Sequence, residues 1–195
     1  MTHTVVLASG NEGKLRELQH ALAPLSLSLQ TQRSLGVEDA VEDGLTFVEN
    51  ALIKARHAAA CTGLPALADD SGLVVPALGG APGIYSSRYS GQGDAGNNSK
   101  LLDAMATLSG TERDAYFVCV LVYLRASDDP CPIIAEGRWH GRIATQREGE
   151  GGFGYDPVFA LPELNCTAAA LSPEQKTALS HRGKAVAALR DRFEH

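Results

Sequence analysis

Cysteine is scarce in this chain. The four present, Cys61, Cys119, Cys131 and Cys166, are widely spread and form no CxxC pair, which argues against a zinc site or a redox dithiol and leaves reduced, structural thiols. Basic residues are also in deficit. Seventeen Lys and Arg stand against twenty-three Asp and Glu, a net charge of −6, which argues against a protein that coats the phosphates of a nucleic acid polymer. A small anionic ligand stays open, because a few local cations suffice to hold one. No apolar run reaches the length of a membrane span, and the start, MTHTVVLASGN, lacks the basic flank and long apolar stretch of a signal peptide. The expectation is therefore a cytoplasmic protein with no membrane partner. There is no internal repeat and no low-complexity tract.

What is present is ordinary for a soluble globular chain. Of 195 residues, 44% are hydrophobic and 21% charged, enough to bury a core without disulfides and suited to one domain over 1–195, or one domain drawn into two lobes. A β-branched run at Thr4–Ala8 predicts a strand. It meets Ser9-Gly10-Asn11, and Leu15, Leu18 and Leu22 then recur at helical spacing. A second helix is predicted over Thr46–Ala60, stopped by Gly63-Leu64-Pro65, and a strand through Ala66-Leu67-Ala68 should end at Asp69-Asp70. Residues 76–96, rich in Gly, Pro and Ser, read as a long ordered loop before a helix around Leu101–Leu108. Strands at Ala115–Leu124 and Ile133–Thr145 and a last helix over Gly183–Phe193 complete the pattern. This alternation predicts an α/β fold with a mixed central β-sheet flanked by helices, the two long strands being able to pair as a hairpin.

Five segments can carry chemistry. Ser9-Gly10-Asn11-Glu12-Gly13-Lys14 joins a strand to a helix, where backbone amides can surround a phosphate and Lys14 adds charge. It is not a P-loop, since the glycines are too close together and Leu15 stands where a magnesium-binding hydroxyl is needed; a plain turn with a helix cap is the alternative. Gly91-Gln92-Gly93-Asp94-Ala95-Gly96 matches GxGxxG but follows a poor strand, and reads as a structural loop. The pair Asp69-Asp70 before Ser71-Gly72 can hold a hard cation and activate water, because neighbouring carboxylates repel unless a cation or a proton relieves them. An Asx-turn is the alternative. Gly151-Gly152-Phe153-Gly154-Tyr155-Asp156-Pro157 offers close backbone approach, aromatic faces for a purine and a carboxylate, or else a β-turn with core aromatics. Lys176 and Ser180-His181-Arg182-Gly183 place three potential cations before the last helix. Glu42, Glu49, Asn50 and Lys54 surround the second helix, where Asn50 and Lys54 share a face; taken alone they describe a solvated face.

Taken together, VVLASGNEGKLREL, GLTFVENALIKARHAA, LADDSGLVVPALGGAPGIYSSRYSG, GGFGYDPVF and LSPEQKTALSHRGKA resemble the inosine triphosphate pyrophosphatase family of house-cleaning nucleotide hydrolases. They span almost the whole chain in family order. The resemblance implies an elongated two-lobed α/β body with its nucleotide cleft between the lobes, and a homodimer. It implies magnesium-dependent hydrolysis of non-standard purine nucleoside triphosphates such as ITP, dITP and XTP to the monophosphate and pyrophosphate. By similarity Ser9, Gly10, Asn11, Glu12, Gly13 and Lys14 would line the triphosphate, with Lys54 facing it. Glu42 and Asp70 would hold Mg2+, and Asp70, beside Asp69, would accept the proton of the attacking water. Ser71 would touch substrate; Phe153, Gly154, Tyr155 and Asp156 would hold the purine and sugar; Lys176 would meet the nucleotide; His181 and Arg182 would read the base edge. A non-catalytic nucleotide-binding regulator, or a pyrophosphatase for other modified nucleotides, are the competing readings.

Overall fold

The computed structural model describes residues 3–10, 12–149 and 151–194. Strand β1 (His3–Leu7) is followed by helix α1 (Glu12–Ala21), β2 (Leu27–Thr31), α2 (Phe47–Thr62) and β3 (Ala66–Val74). Then come α3 (Gly93–Ala104), β4 (Asp114–Leu124), β5 (Ile133–Ile143), β6 (Phe159–Leu161), β7 (Cys166–Thr167), α4 (Pro173–Leu179) and α5 (His181–Glu194). The sheet has seven strands in the order β2-β1-β3-β4-β5-β6-β7. It is mixed: β1 runs parallel to β2 and β3, while β6 is antiparallel to β5 and β7. The α/β class expected from the sequence is the one found.

The chain forms two compact units. One contains the residues through Asp70, Cys119–Gly137 and those from Lys184 onward; the other contains Ser71–Val118 and Arg138–Gly183. Each has its own apolar core. In the first, Val5, Leu7, Leu29, Leu67 and Leu121 of the strands pack with Leu18, Val186 and Leu189 of the helices and with Leu22, just past the end of α1. In the second, Leu73, Phe117, Trp139, Ile143 and Phe159 pack with Leu101 and Met105. The continuous apolar run of β4 is buried along nearly its whole length, as a strand covered on both faces requires. No helix among the described residues is long and apolar enough to cross a membrane.

Several elements differ from the sequence expectation. β3 does not stop at the acidic pair: it continues through Asp69, Asp70, Ser71 and Gly72 to Val74, so the carboxylates sit within a strand. α3 begins at Gly93 and ends at Ala104, ahead of the expected helix, because the polar run after Gly93 is helical and Leu108 already lies beyond the last turn. The loop 76–96 contains two short 3-10 turns, Pro76–Leu78 and Gly83–Arg88. Strands β2, β6 and β7 and helix α4 carry too little periodic signal to announce themselves. α2 follows its signals: Thr46 caps it and accepts from the Glu49 N–H at 3.3 Å, and Gly63, at φ 67°, ends it.

The corner between α4 and α5 sets the positions of Lys176, His181 and Arg182. Ser172 and Gln175 form a reciprocal cap at the start of α4, and the Gly183 N–H donates to Ser180 Oγ at 3.2 Å. A Cβ on Gly183 would fall well inside van der Waals contact with the Thr177 carbonyl oxygen. Helix propensity favours alanine over glycine by about 1 kcal/mol, but a clash against backbone outweighs it. Gly183→Ala is therefore expected to destabilise the protein by roughly 1–3 kcal/mol, read as a lowered thermal midpoint; an unchanged or raised midpoint would contradict the tight corner.

Candidate active site

Two pockets are built from the segments singled out in the sequence, one within each unit. The first is a polar cavity of ≈ 390 Å3 lined by Ala8, Ser9, Gly10, Lys14, Gln32, Arg33, Asp39, Ala40, Glu42, Lys54 and Asp69. The end of β1 is held against β3 by the Ala8 N–H donating to the Leu67 carbonyl at 2.8 Å, so the Ser9-Gly10 loop leaves the sheet beside the acidic pair. Lys14 rises from the first turns of α1 and donates to Asp69 Oδ1 at 2.8 Å. Asn11 lies outside the described residues, and of Glu12 and Gly13 only the backbone in the first turn of α1 is described.

Lys54 projects from α2 and bridges two carboxylates, Asp70 at 2.8 Å and Glu42 at 3.3 Å. Neighbouring residues of a strand point apart, which is why Asp69 and Asp70 engage different lysines. Glu42 is presented by a segment fastened at its far end: the Gly44 N–H donates to Asn50 Oδ1 at 2.9 Å, and the Leu45 N–H to Glu49 Oε2 at 2.9 Å. Glu49 is thus a helix-cap residue. Its carboxyl is held below the usual range by Thr46 and Leu45.

The electrostatics show an excess of negative charge around one ammonium. Burial raises the Asp70 carboxyl above the ordinary aspartate value, Glu42 and Asp69 add to the rise, and Lys54 only partly offsets them. Burial opposes the charge on Lys54, yet Asp70, Asp69 and Glu42 outweigh it and hold the ammonium above its ordinary value. A further cation near Asp70 and Glu42 would relieve this imbalance, and these two carboxylates fit a hard divalent ion. Among the described residues no group of three or more His, Cys, Asp or Glu converges as a ligand set, so ligand oxygens and water would complete the shell.

The second pocket, ≈ 180 Å3, is lined by Ser71 and Gly72 of β3, Ser86, Ser87, Asp94, Phe117, Phe153, Gly154, Tyr155, Asp156, Lys176, His181 and Arg182. Phe153 is 62% exposed, and its ring faces Lys176 Nζ 3.9 Å from the centroid. Lys176 is ion-paired with Asp156, whose Oδ2 also accepts from the Phe153 N–H at 2.8 Å. The carboxylate occupies the space a Cβ on Gly152 would need, and Gly152 adopts φ +81°, so that glycine is required by the turn. The His181 ring stacks on Phe117 at 4.8 Å with 13° between planes, fixing its orientation. Arg182 is buried beside it.

Tyr155 lines this pocket but is itself buried. Its ring belongs to the apolar core and its hydroxyl donates to the Ser86 carbonyl at 2.8 Å, with burial raising the phenol above its ordinary pKa. Phe153, not Tyr155, offers the open aromatic face.

Other residues escaped the sequence reading. Gly154 is gripped on both sides of its residue: its N–H donates to Asp94 Oδ2 at 2.7 Å, and its carbonyl accepts from Asn98 Nδ2 at 2.9 Å. Asp94 and Asn98 lie four apart on α3, hence on one face, and their spacing was a signal available in the GQGDAG segment that otherwise resembled a dinucleotide loop. Arg33, Gln32 and Asp39 join the first pocket through β2. Its parallel register with β1 sets Thr31 opposite Leu7, and the Gln32 N–H donates to the Leu7 carbonyl at 2.9 Å. Nothing local in TQRSLG reveals this pairing.

The Ham1 family profile matches residues 5–192. A dITP/XTP pyrophosphatase of Photorhabdus laumondii is 58% identical over 189 residues, covering 96% of each chain. Another, of Thioalkalivibrio sulfidiphilus, is 56% identical over 192 residues, covering 97% of this chain and 98% of the relative. The structure of a HAM1 protein from Coxiella burnetii superposes with a TM-score of 0.94 at 47% identity, covering 100% of this chain and 99% of that one. With the family match, the identity and the near-complete coverage in agreement, the chain belongs to the Ham1 family.

Proposed function

We propose that this protein hydrolyses non-standard purine nucleoside triphosphates, ITP, dITP and XTP, to the nucleoside monophosphate and pyrophosphate, and so cleanses the nucleotide pool. The observation that carries the reading is the pair Asp69-Asp70 in β3, each carboxylate holding a lysine of the polar first pocket. The close relatives named as dITP/XTP pyrophosphatases support it. In this reading residues 1–195 act as one pyrophosphatase domain, in the cytoplasm and as a homodimer. The first pocket takes the phosphate tail and the second takes the base. β3 serves both, since Asp69 lines the first and Ser71 the second.

The reaction adds water across the α–β phosphoanhydride. Asp70 accepts the proton that the attacking water loses; the bridging P–O bond breaks and its electron pair leaves with pyrophosphate. Lys14 and Lys54 face the negative charge that develops on the phosphate oxygens. Glu42 and Asp70 would hold Mg2+, which supplies charge neutralisation on those oxygens. Asp69 keeps Lys14 in place. In the base pocket the purine stacks on Phe153, Lys176 and Asp156 meet the nucleotide, Ser71 touches it, and His181 and Arg182 meet the oxygen at purine C6. Adenine carries an amino group there, and leaving a buried donor unpaired costs roughly 1–3 kcal/mol, which disfavours ATP.

Incubation with ITP and magnesium should give IMP and pyrophosphate in equal amounts, separable on an ion-exchange column. Stepwise release of single phosphates, or recovery of unchanged ITP as for a nucleotide-binding regulator, would defeat the reading. Asp70→Asn should lower kcat by about 10²–10⁴-fold while ITP still binds; full activity would remove Asp70 from the proton transfer. EDTA should abolish turnover and magnesium restore it, and magnesium should also raise the thermal midpoint of the wild type but not of a Glu42→Gln, Asp70→Asn double variant. A midpoint rise of equal size in that variant would place the ion elsewhere. Light scattering should return twice the chain mass, and a single-chain mass would exclude the dimer.

A further inference from the structure

The three basic side chains of the first pocket are not equivalent. Lys14 is held by Asp69 at 2.8 Å, and Lys54 by Asp70 at 2.8 Å and Glu42 at 3.3 Å. Their charge is offset before any ligand arrives. Arg33 lines the same cavity and is exposed, and its guanidinium pairs with no carboxylate among the described residues.

Its position is set by the backbone. The register of β1 and β2 brings Gln32 beside Leu7, the Ser34 N–H donates to Thr31 Oγ at 3.3 Å, and Gly36 closes the turn at φ 73° with its N–H donating to the Arg33 carbonyl at 3.1 Å. The neighbouring carboxylate, Asp39, accepts from the Gln32 amide at 2.5 Å. The guanidinium lies against Gly10 of the loop after β1: a Cβ at that position would stand 3.1 Å from Arg33 Nε. A planar guanidinium matches two phosphate oxygens at once, which an ammonium does not.

We propose that Arg33 is a phosphate-binding residue of this chain, gripping the polyphosphate tail of the substrate as a third cation beside Lys14 and Lys54. The inference rests on the reading that the first pocket receives the triphosphate, and it names a residue for which none of the sequence motifs made a case. Arg33 raises the affinity for the tail and takes no part in base selection, because it lines the first pocket and not the second.

The test is calorimetric titration of inorganic tripolyphosphate, in magnesium-containing buffer, into the wild type and into Arg33→Ala, Arg33→Gln and Arg33→Lys. The first two should bind about tenfold more weakly, and Arg33→Lys should recover part of the loss. With ITP the same variants should raise KM while kcat and the ratio of ITP to GTP turnover stay near wild-type values. Equal tripolyphosphate affinity in wild type and Arg33→Gln, or no binding by the wild type, overturns the proposal. ITP cleavage by the wild type tests the pyrophosphatase reading separately. Cleavage with unchanged tripolyphosphate affinity removes Arg33 alone, whereas weakened affinity without any ITP cleavage removes the activity and keeps the anion site.

Discussion

The structure of the first pocket depends on an imbalance: Asp69, Asp70 and Glu42 crowd the Lys54 ammonium with more negative charge than it can offset. Left alone, such a cluster disfavours its own ionised form, and the raised carboxyl of Asp70 registers that cost. The fold tolerates it because β3 is a sheet strand, its backbone bonded within the sheet, so that two successive side chains are held where flexible loop residues would drift apart. The lysines come from helices instead, Lys14 from α1 and Lys54 from α2, and each reaches its carboxylate along a long flexible stem. Rigid carboxylates are thus met by adaptable ammonium groups.

The second pocket uses a different principle. Its central turn, Gly152 to Asp156, is shaped by hydrogen bonds: Asp156 closes it from inside, and Asp94 with Asn98 holds Gly154 from α3. Tyr155 anchors the turn in the core through Ser86, which leaves Phe153 exposed at its tip. Two positions apart, one aromatic is buried and the other open to solvent.

Much of this was legible in the sequence where a local pattern and a local structure coincide. The β-branched run of β1, the Thr46 and Gly63 stops of α2 and the apolar run of β4 all appeared close to where their periodicity put them; Asp69, Ser71 and Gly72 of LADDSG and Phe153, Gly154, Tyr155 and Asp156 of GGFGYDP line pockets. The extension of β3 past Asp70 was not legible, because Ser71-Gly72 has the composition of a turn and is overridden by pairing in the sheet. β2 was missed for the same reason in reverse: LSLQT has a weak signal, and its identity as a strand rests on parallel pairing with β1. With β2 went Arg33 and Gln32. The GQGDAG segment is structural, as its poor preceding strand implied, but nothing local in it reveals that Asp94 accepts from the Gly154 N–H.

Lys54 carries one more implication. An amine whose protonated form is favoured by three carboxylates keeps its lone pair engaged at physiological pH. Reagents that acylate lysines, and carbonyl compounds that condense with them, would find this side chain inert compared with lysines on the outer surface, so chemical labelling should pass it over.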